Sequence, residues 1–374
     1  MQAEIVTIGT ELLLGEIVDT NSAWIAQRLT TIGLDLYYTT TVGDNLRRIA
    51  DVLRRTLSRS DVVITTGGLG PTVDDVTREA VAAATNRELV MDQDLLEEIS
   101  RFFARRGHAM TENNRRQGRL PKGARVIHNP VGTAPPFAVD HNSHVVICLP
   151  GVPHEMRYLM EHEVLPYLRE RYGLRGVIKS RTLRTCGIGE STVDSRIGDL
   201  MRLSNPTVGT RAHPGQTDVR ITAKADSEAE ADALIAPVEA ELRARLGEVI
   251  FGVGRETMGD VVARLLAQRG LRLALVETVT RGELAQRLSS AARGDAGFAG
   301  AIVVGNAEAL GHTLGVPTRL IAEYGFPSQQ VADAAARAVR QMQRSDLGLA
   351  VIGPSDPAAA DAPPVYFSLA TGDR

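Results

Sequence analysis

The chain has 374 residues, 42 basic and 45 acidic, with a formal charge of −3, 43% hydrophobic and 23% charged residues, and two cysteines. This predicts a soluble globular protein of about two or three domains. It excludes a general polybasic nucleic-acid or membrane binder and a disulfide scaffold.

No apolar run reaches about 18 residues, and Met1-Gln2-Ala3-Glu4-Ile5 lacks the blocks of a signal peptide. The expectation is a cytoplasmic protein. Only Lys122, Lys179 and Lys224 are lysines, so lysine-dependent chemistry is excluded beyond Lys224.

In chain order, residues 3–9 read as a buried strand. Residues 21–33 read as a helix, with Trp24, Ile25, Leu29 and Ile32 on one side and a glycine stop. A strand at 34–42 and an amphipathic helix at 45–58 follow. Next come an apolar strand at 61–66, a glycine loop and a helix from about Asp75. A strand at 144–149 runs into Pro150-Gly151-Val152-Pro153 and a helix reaching about Tyr172. This βαβα order predicts a parallel sheet with helices on both faces.

The pattern then changes. Strands at 177–185 and 217–225 and helices at 190–203 and 228–246 predict a small α+β unit. Helix–strand alternation resumes with helices at 261–269, 282–293 and 328–344 and strands at 271–277, 298–304 and 347–352. Residues 355–364 read as an Ala/Pro/Asp loop. The expected domains are 1–172, 173–253 and 254–374, in an α/β chain with α/β/α units at both ends.

The strongest local signal is the segment from Thr65 to Thr77, with Gly67, Gly68, Gly70, Thr72, Asp74 and Asp75. It is neither a Walker A loop nor a G-x-G-x-x-G fingerprint. A buried strand ends, glycines let backbone N–H groups approach a ligand, and a helix begins, which suits phosphate oxygens. The simpler alternative is a tight turn with an N-cap aspartate.

Glu11, Asp44, Asp74 and Asp75 follow three successive strands and so share one sheet edge, where ligands bind. Carboxylates beside phosphate require a divalent cation, and Mg²⁺ suits one or two carboxylates plus substrate phosphates. Each acid taken alone reads as a cap or a solvated residue.

Two further loops are candidates for the same edge. One contains Gly132 and Thr133, the other Gly151 and Pro153. Asn114, Arg115 and Gln117 are candidate contacts to a base or phosphate, with a solvated helix face as the alternative for Arg115 and Arg116. Asp19 and Asn21 read as helix caps. The histidines form no metal-spaced set. Cys148 reads as inert core, and Cys186 has no Cys/His partner pattern.

The segment Ile8-Gly9-Thr10-Glu11-Leu12-Leu13-Leu14-Gly15-Glu16-Ile17-Val18-Asp19-Thr20-Asn21 resembles the CinA family (competence/damage-inducible protein A). So do the Asp-Asp glycine loop, Asn114-Arg115-Arg116-Gln117, Gly132-Thr133-Ala134-Pro135 and Leu149-Pro150-Gly151-Val152-Pro153-His154-Glu155-Met156. Cys186-Gly187-Ile188-Gly189-Glu190-Ser191 resembles the start of the family's KH-like middle domain.

The resemblance implies a MogA/MoaB-like molybdopterin-binding fold in residues 1–172. It also implies metal-dependent hydrolysis of ADP-ribose, or a related dinucleotide diphosphate, to AMP and ribose 5-phosphate. By position, Asp44 and Asp75, with Asp74, are the expected catalytic residues. Asp44, Asp75 and Glu11 are the expected ligands of Mg, Mn or Co. Gly67, Gly68, Gly70, Thr72, Glu11, Asn114, Arg115, Gln117, Gly132, Thr133, Gly151 and Pro153 are expected to line the substrate.

The family's C-terminal domain deamidates nicotinamide mononucleotide, with E-S-C-T-G-G carrying a serine nucleophile and Y-S-N-E-A-K a lysine that activates it. Here the first motif is Glu277-Thr278-Val279-Thr280-Arg281-Gly282, and the second is Gly305-Asn306-Ala307-Glu308-Ala309-Leu310. Thr278 stands at the nucleophile and Leu310 at the lysine. A hydroxyl nucleophile needs a base, so deamidase activity is expected to be lost, leaving a structural or dimerisation module. The resemblance also implies a homodimer and a protein partner in the competence and recombination machinery. A nucleic-acid partner is not expected. Alternatives are a molybdopterin adenylyltransferase-like enzyme and a non-catalytic nucleotide-sensing scaffold.

Overall fold

A computed structural model describes all residues except 106, 108, 292–296, 355, 357, 358, 360, 373 and 374. The chain separates into two compact units. One comprises Met1–Ser180, Asp199–Val208 and Ile221–Glu241, and the other Arg181–Gly198, Gly209–Arg220 and Leu242–Arg374.

The first unit is built on a six-stranded sheet. Its strands are β1 (Gln2–Ile8), β2 (Asp35–Val42), β3 (Val62–Thr66), β4 (Arg125–Val126), β5 (Phe137–His141) and β6 (His144–Leu149), in the order β2-β1-β3-β6-β5-β4. β1, β2, β3 and β6 run parallel, and β5 and β4 are antiparallel additions. The register sets Ile8 beside Val42, Thr7 beside Thr66 and Thr66 beside Leu149. Four strand ends therefore open on one edge, where doubly wound sheets bind ligands.

β3 is buried along its whole length, as expected of a strand covered on both faces. One face packs Ile25 and Leu29 from α1 (Thr20–Thr30) with Met156 and Leu159 from α5 (Pro153–Leu159). The other packs Ile49 and Leu53 from α2 (Leu46–Leu57) with Ala80 and Val81 from α3 (Thr77–Ala84). The same face takes Leu95 and Ile99 from α4 (Gln93–Arg105). Asp19 caps α1 through Ser22 N at 2.9 Å, and Asn45 caps α2 through Arg48 N at 3.1 Å.

The middle of the chain holds β7 (Val177–Cys186), β8 (Thr207–His213), β9 (Gln216–Ala225) and β10 (Ile250–Val253), in the order β8-β9-β7-β10. Its helices are α6 (Glu190–Ile197) and α7 (Glu228–Leu246). β8 was not predicted. The helix expected over 190–203 ends at Ile197, and a short 3₁₀ turn, Leu200–Arg202, follows.

The C-terminal sheet has the order β12-β11-β13-β14, from β11 (Leu273–Glu277), β12 (Phe298–Val303), β13 (Leu347–Ile352) and β14 (Tyr366–Ala370). The first three are parallel and β14 is antiparallel. α8 (Met258–Arg269) precedes β11, and α9 (Glu283–Ser289) follows it. The expected end of that helix at Arg293 lies outside the described residues, as do parts of the 355–364 loop. α10 (Ala307–Leu314), α11 (Thr318–Tyr324) and α12 (Gln329–Met342) complete the unit. Among the described residues, no helix is long and apolar enough to cross a membrane.

Candidate active site

The loop after β3 is shaped by two glycines in left-handed conformations, Gly67 at φ +111° and Gly68 at +65°. A Cβ at 67 would lie 2.1 Å from Ile8 O, and one at 68 would lie 2.2 Å from Thr77 Oγ1. The loop is pinned through its carbonyls. Thr77 Oγ1 donates to Gly67 O at 2.9 Å, and Thr77 N donates to Gly68 O at 3.3 Å. Arg78 Nη1 and Nη2 donate to Leu69 O and Gly70 O at 2.8 and 2.9 Å. Among the described residues, the N–H groups of Gly68, Leu69 and Gly70 meet no protein acceptor. Consecutive backbone donors without protein acceptors make this loop a candidate anion cradle.

Thr77 takes the role that the sequence assigned to the turn near Asp75, so α3 begins at Thr77. Asp75 instead folds back. Its Oδ2 accepts from Thr72 N at 2.8 Å and from the Thr72 hydroxyl, and a Cβ on Gly70 would lie 2.4 Å from it. Asp74 is exposed. The Thr72 hydroxyl, its own backbone N–H and the Arg116 guanidinium hold its carboxyl below the usual range. Arg116 reaches this loop through Thr72 O at 3.0 Å.

Asp44 sits after β2 and holds the helical turn Thr10–Leu13. Its Oδ2 accepts from Thr10 N at 2.7 Å and Thr10 Oγ1 at 2.8 Å, and its N–H donates back to Thr10 Oγ1 at 3.1 Å. Glu11 folds over Gly9, where a Cβ would lie 2.5 Å from its Oε1. Among the described residues, the second carboxylate oxygen of Asp44 and of Asp75 has no protein donor. No three His, Cys, Asp or Glu side chains gather to hold a metal ion by themselves among those residues. A cation here would need oxygens from its ligand, and Mg²⁺ bound by one or two carboxylates plus substrate phosphates has that donor set.

The other expected contacts divide into supports and rims. Gln117 is fully buried and donates to Leu69 O at 3.3 Å and Thr133 O at 3.4 Å, joining two loops. Asn114 donates to Gln117 Oε1 at 3.1 Å. Arg115 points to solvent, 3.5 Å from Glu112, whereas Arg116 reaches the glycine loop. Gly132 lies flat on Glu155, where a Cβ would fall 1.8 Å from Oε2. Gly132 and Thr133 line a separate cavity of about 120 Å³ with Leu95, Ile99 and His128. Gly151 lies against Gly67, with 3.4 Å from a built Cβ to Gly67 Cα, and Pro153 starts α5.

Sequence reasoning missed Arg78, since an arginine after a threonine in a helix looks solvated. It also missed the bridging role of Asn21, which donates to Gly151 O at 2.8 Å and Thr66 Oγ1 at 3.2 Å rather than capping α1. Cys148 is fully buried, and burial pushes its thiol up to about 12.

At the C-terminal motif, Thr278 is buried. Its hydroxyl donates to Gly353 O at 3.1 Å and accepts from Gly353 N at 2.9 Å. Leu310 is fully buried in the apolar cluster with Val331, Ala335 and Val339. Arg281 adopts φ +51°, a conformation that suits the glycine of the expected motif. Glu277 accepts from Leu284 N and Ala285 N at 3.3 and 3.1 Å, capping α9.

Three family models match in succession: a probable molybdopterin binding domain over residues 4–170, the damage-inducible protein CinA KH domain over 180–252, and the CinA C-terminal domain over 255–372. The molecule is thus an α/β protein with a MoaB/MogA-like N-terminal domain, a KH-like middle domain and a CinA C-terminal domain. It is 41% identical over 358 residues to a CinA-like protein of Dictyoglomus thermophilum, covering 96% of this chain and 87% of that one. A crystal structure of a CinA protein of unknown function from Thermoplasma acidophilum is 37% identical, with a TM-score of 0.42, covering 44% of this chain and 96% of that one. The molybdopterin biosynthesis enzyme MoaB of Thermus thermophilus is 24% identical, with a TM-score of 0.34, covering 46% of this chain and 94% of that one. The chain belongs to the competence/damage-inducible protein CinA family.

Proposed function

We propose that the N-terminal domain hydrolyses ADP-ribose, or a related dinucleotide diphosphate, to AMP and ribose 5-phosphate. The observation that carries this reading is the glycine loop. Its carbonyls are tied to Thr77 and Arg78, and the N–H groups of Gly68, Leu69 and Gly70 are left without protein acceptors among the described residues. These donors suit the non-bridging oxygens of a diphosphate and the charge that grows on the leaving phosphate as water attacks phosphorus.

Asp44 and Asp75 would hold a divalent cation, Mg, Mn or Co, together with the diphosphate. That cation supplies charge neutralisation and polarises phosphoryl oxygens. Asp74, kept ionised by Thr72 and Arg116, keeps the rim of the loop negative and favours the cation-bound form of the substrate.

The test is phosphate release, after a coupling phosphatase, over ADP-ribose, NAD and FAD with each metal. Asp75→Ala is expected to lower metal-dependent turnover by about 100-fold or more, the scale of losing one electrostatic stabiliser of the transition state. Full turnover in that variant would refute the assignment. The molybdopterin-binding match favours a second reading, adenylylation of molybdopterin, which the same protein would reveal by consuming ATP only when molybdopterin is present. Tight ADP-ribose binding with no turnover would instead point to a nucleotide-sensing scaffold.

In the C-terminal domain, the engaged Thr278 hydroxyl and the buried Leu310 support loss of nicotinamide-mononucleotide deamidation. A homodimer and a competence or recombination partner remain part of this proposal. Light scattering on the full chain reads the first, and co-purification from competent cells the second.

A further inference from the structure

Arg115 and Arg116 stand side by side in the 3₁₀ turn Glu112–Gly118, and Arg116 is the one that turns toward the glycine loop. Its Nη1 donates to Thr72 O at 3.0 Å, across 44 residues of chain. Its Nη2 lies 3.5 Å from Glu79 Oε1, in the first turn of α3. The other oxygen of Glu79 is sealed from solvent with no hydrogen-bond partner among the described residues. One planar fork therefore bridges a carbonyl and a carboxylate, a geometry that an ammonium does not reproduce.

Thr72 O is the acceptor that closes the turn before α3, because Asp75 N donates to it at 3.3 Å. From the same residue, Thr72 N at 2.8 Å and the Thr72 hydroxyl donate to Asp75 Oδ2. Thr72, Val73 and Asp74 are exposed, so little apolar packing fixes the turn. Among the described residues, Arg116 makes the hydrogen bond that reaches residues 72–75 from another element. The chain of contacts runs from Glu79 through Arg116 and Thr72 to the Asp75 carboxylate. The second oxygen of that carboxylate is the one without a protein donor among the described residues.

We propose that Arg116 is a positioning residue for a divalent cation: by holding Thr72 it aims the free oxygen of Asp75, without touching the cation itself. The inference rests on the reading of Asp44 and Asp75 as cation ligands alongside the diphosphate, and adds the residue that keeps one of them in place. Supporting groups of this kind change metal affinity by about 10–100-fold. Charge alone predicts the opposite sign. A guanidinium beside a cation repels it, so a residue acting only through its field would tighten cation binding when removed. Positioning predicts that its removal weakens cation binding.

The test is Mn²⁺ binding to the full chain with methylene-bridged, non-hydrolysable ADP-ribose, read by water-proton relaxation. Arg116→Gln and Arg116→Ala are each expected to raise the Mn²⁺ Kd about tenfold. Thermal melts establish which variants are folded, and either one decides the matter. Arg116→Lys, which keeps the charge and loses the fork, is read in their place if both unfold, with weakened binding expected and wild-type affinity overturning the proposal. Because Arg116 acts through Asp75, the double variant Arg116→Gln/Asp75→Ala should bind Mn²⁺ no more weakly than Asp75→Ala alone. Unchanged or tighter binding in the single Arg116 variants, or losses that add in the double variant, overturn the positioning role and leave the cation reading intact. A wild-type chain that binds no Mn²⁺ with the nucleotide, or an Asp75→Ala chain that binds it fully, overturns both readings.

Discussion

Arg78 has no solvent exposure, and its guanidinium holds two consecutive carbonyls of the glycine loop. Burial lowers its pKa, and the nearby Glu79 and Asp75 carboxylates counter that shift. Arg78→Met would leave Leu69 O and Gly70 O without these donors. We expect a loss of about 2–4 kcal/mol in urea denaturation, with partial rescue by Arg78→Lys. Cys148 makes an independent check on the core. With its thiol pushed to about 12 and fully buried, it should resist iodoacetamide at pH 8 in the folded chain and react after unfolding, as read by mass spectrometry. The reading of Cys148 as core needed only its apolar strand. Arg78 was not legible, because nothing local distinguishes a buried cation from a solvated one. Its burial depends on the loop it touches.

The strand–loop–helix from β3 to α3 was legible as an element, and its reason lies in the glycines. Gly68→Ala places a Cβ 2.2 Å from Thr77 Oγ1 at a φ of +65°. The expected cost is about 2–4 kcal/mol, measured as a fall in the denaturation midpoint, together with weaker binding of ADP-ribose. The start of α3 was less legible. Asp75 has the chemistry of an N-cap, but its carboxylate is committed to Thr72, and Thr77 anchors the helix by reaching back to Gly67 O. Local propensity names candidates for a cap, and the path of the loop selects among them. The antiparallel strands β4 and β5 were missed for a similar reason, since short edge strands take their stability from their neighbours rather than from a periodic pattern.

For the whole molecule, the two ends of the chain carry different prospects. The full chain is expected to release no ammonia from nicotinamide mononucleotide above a vector-control preparation, by a coupled glutamate dehydrogenase assay. Leu310→Lys should not restore the activity. It would bury an ammonium among Val331, Ala335 and Val339, lowering the denaturation midpoint instead. Sequence alone established the alternation of strands and helices, the glycine loop, the family resemblance and the absence of lysine beyond Lys224, because these depend on residue order and composition. The tertiary structure decided which residues face a ligand and which hold the loops. Asn114 and Gln117 are buried supports, Arg116 rather than Arg115 reaches the loop, and Asn21 ties the turn after β6 to the end of β3. These distinctions depend on hydrogen bonds between residues far apart in the chain. They exist only once β1, β3 and β6 lie side by side.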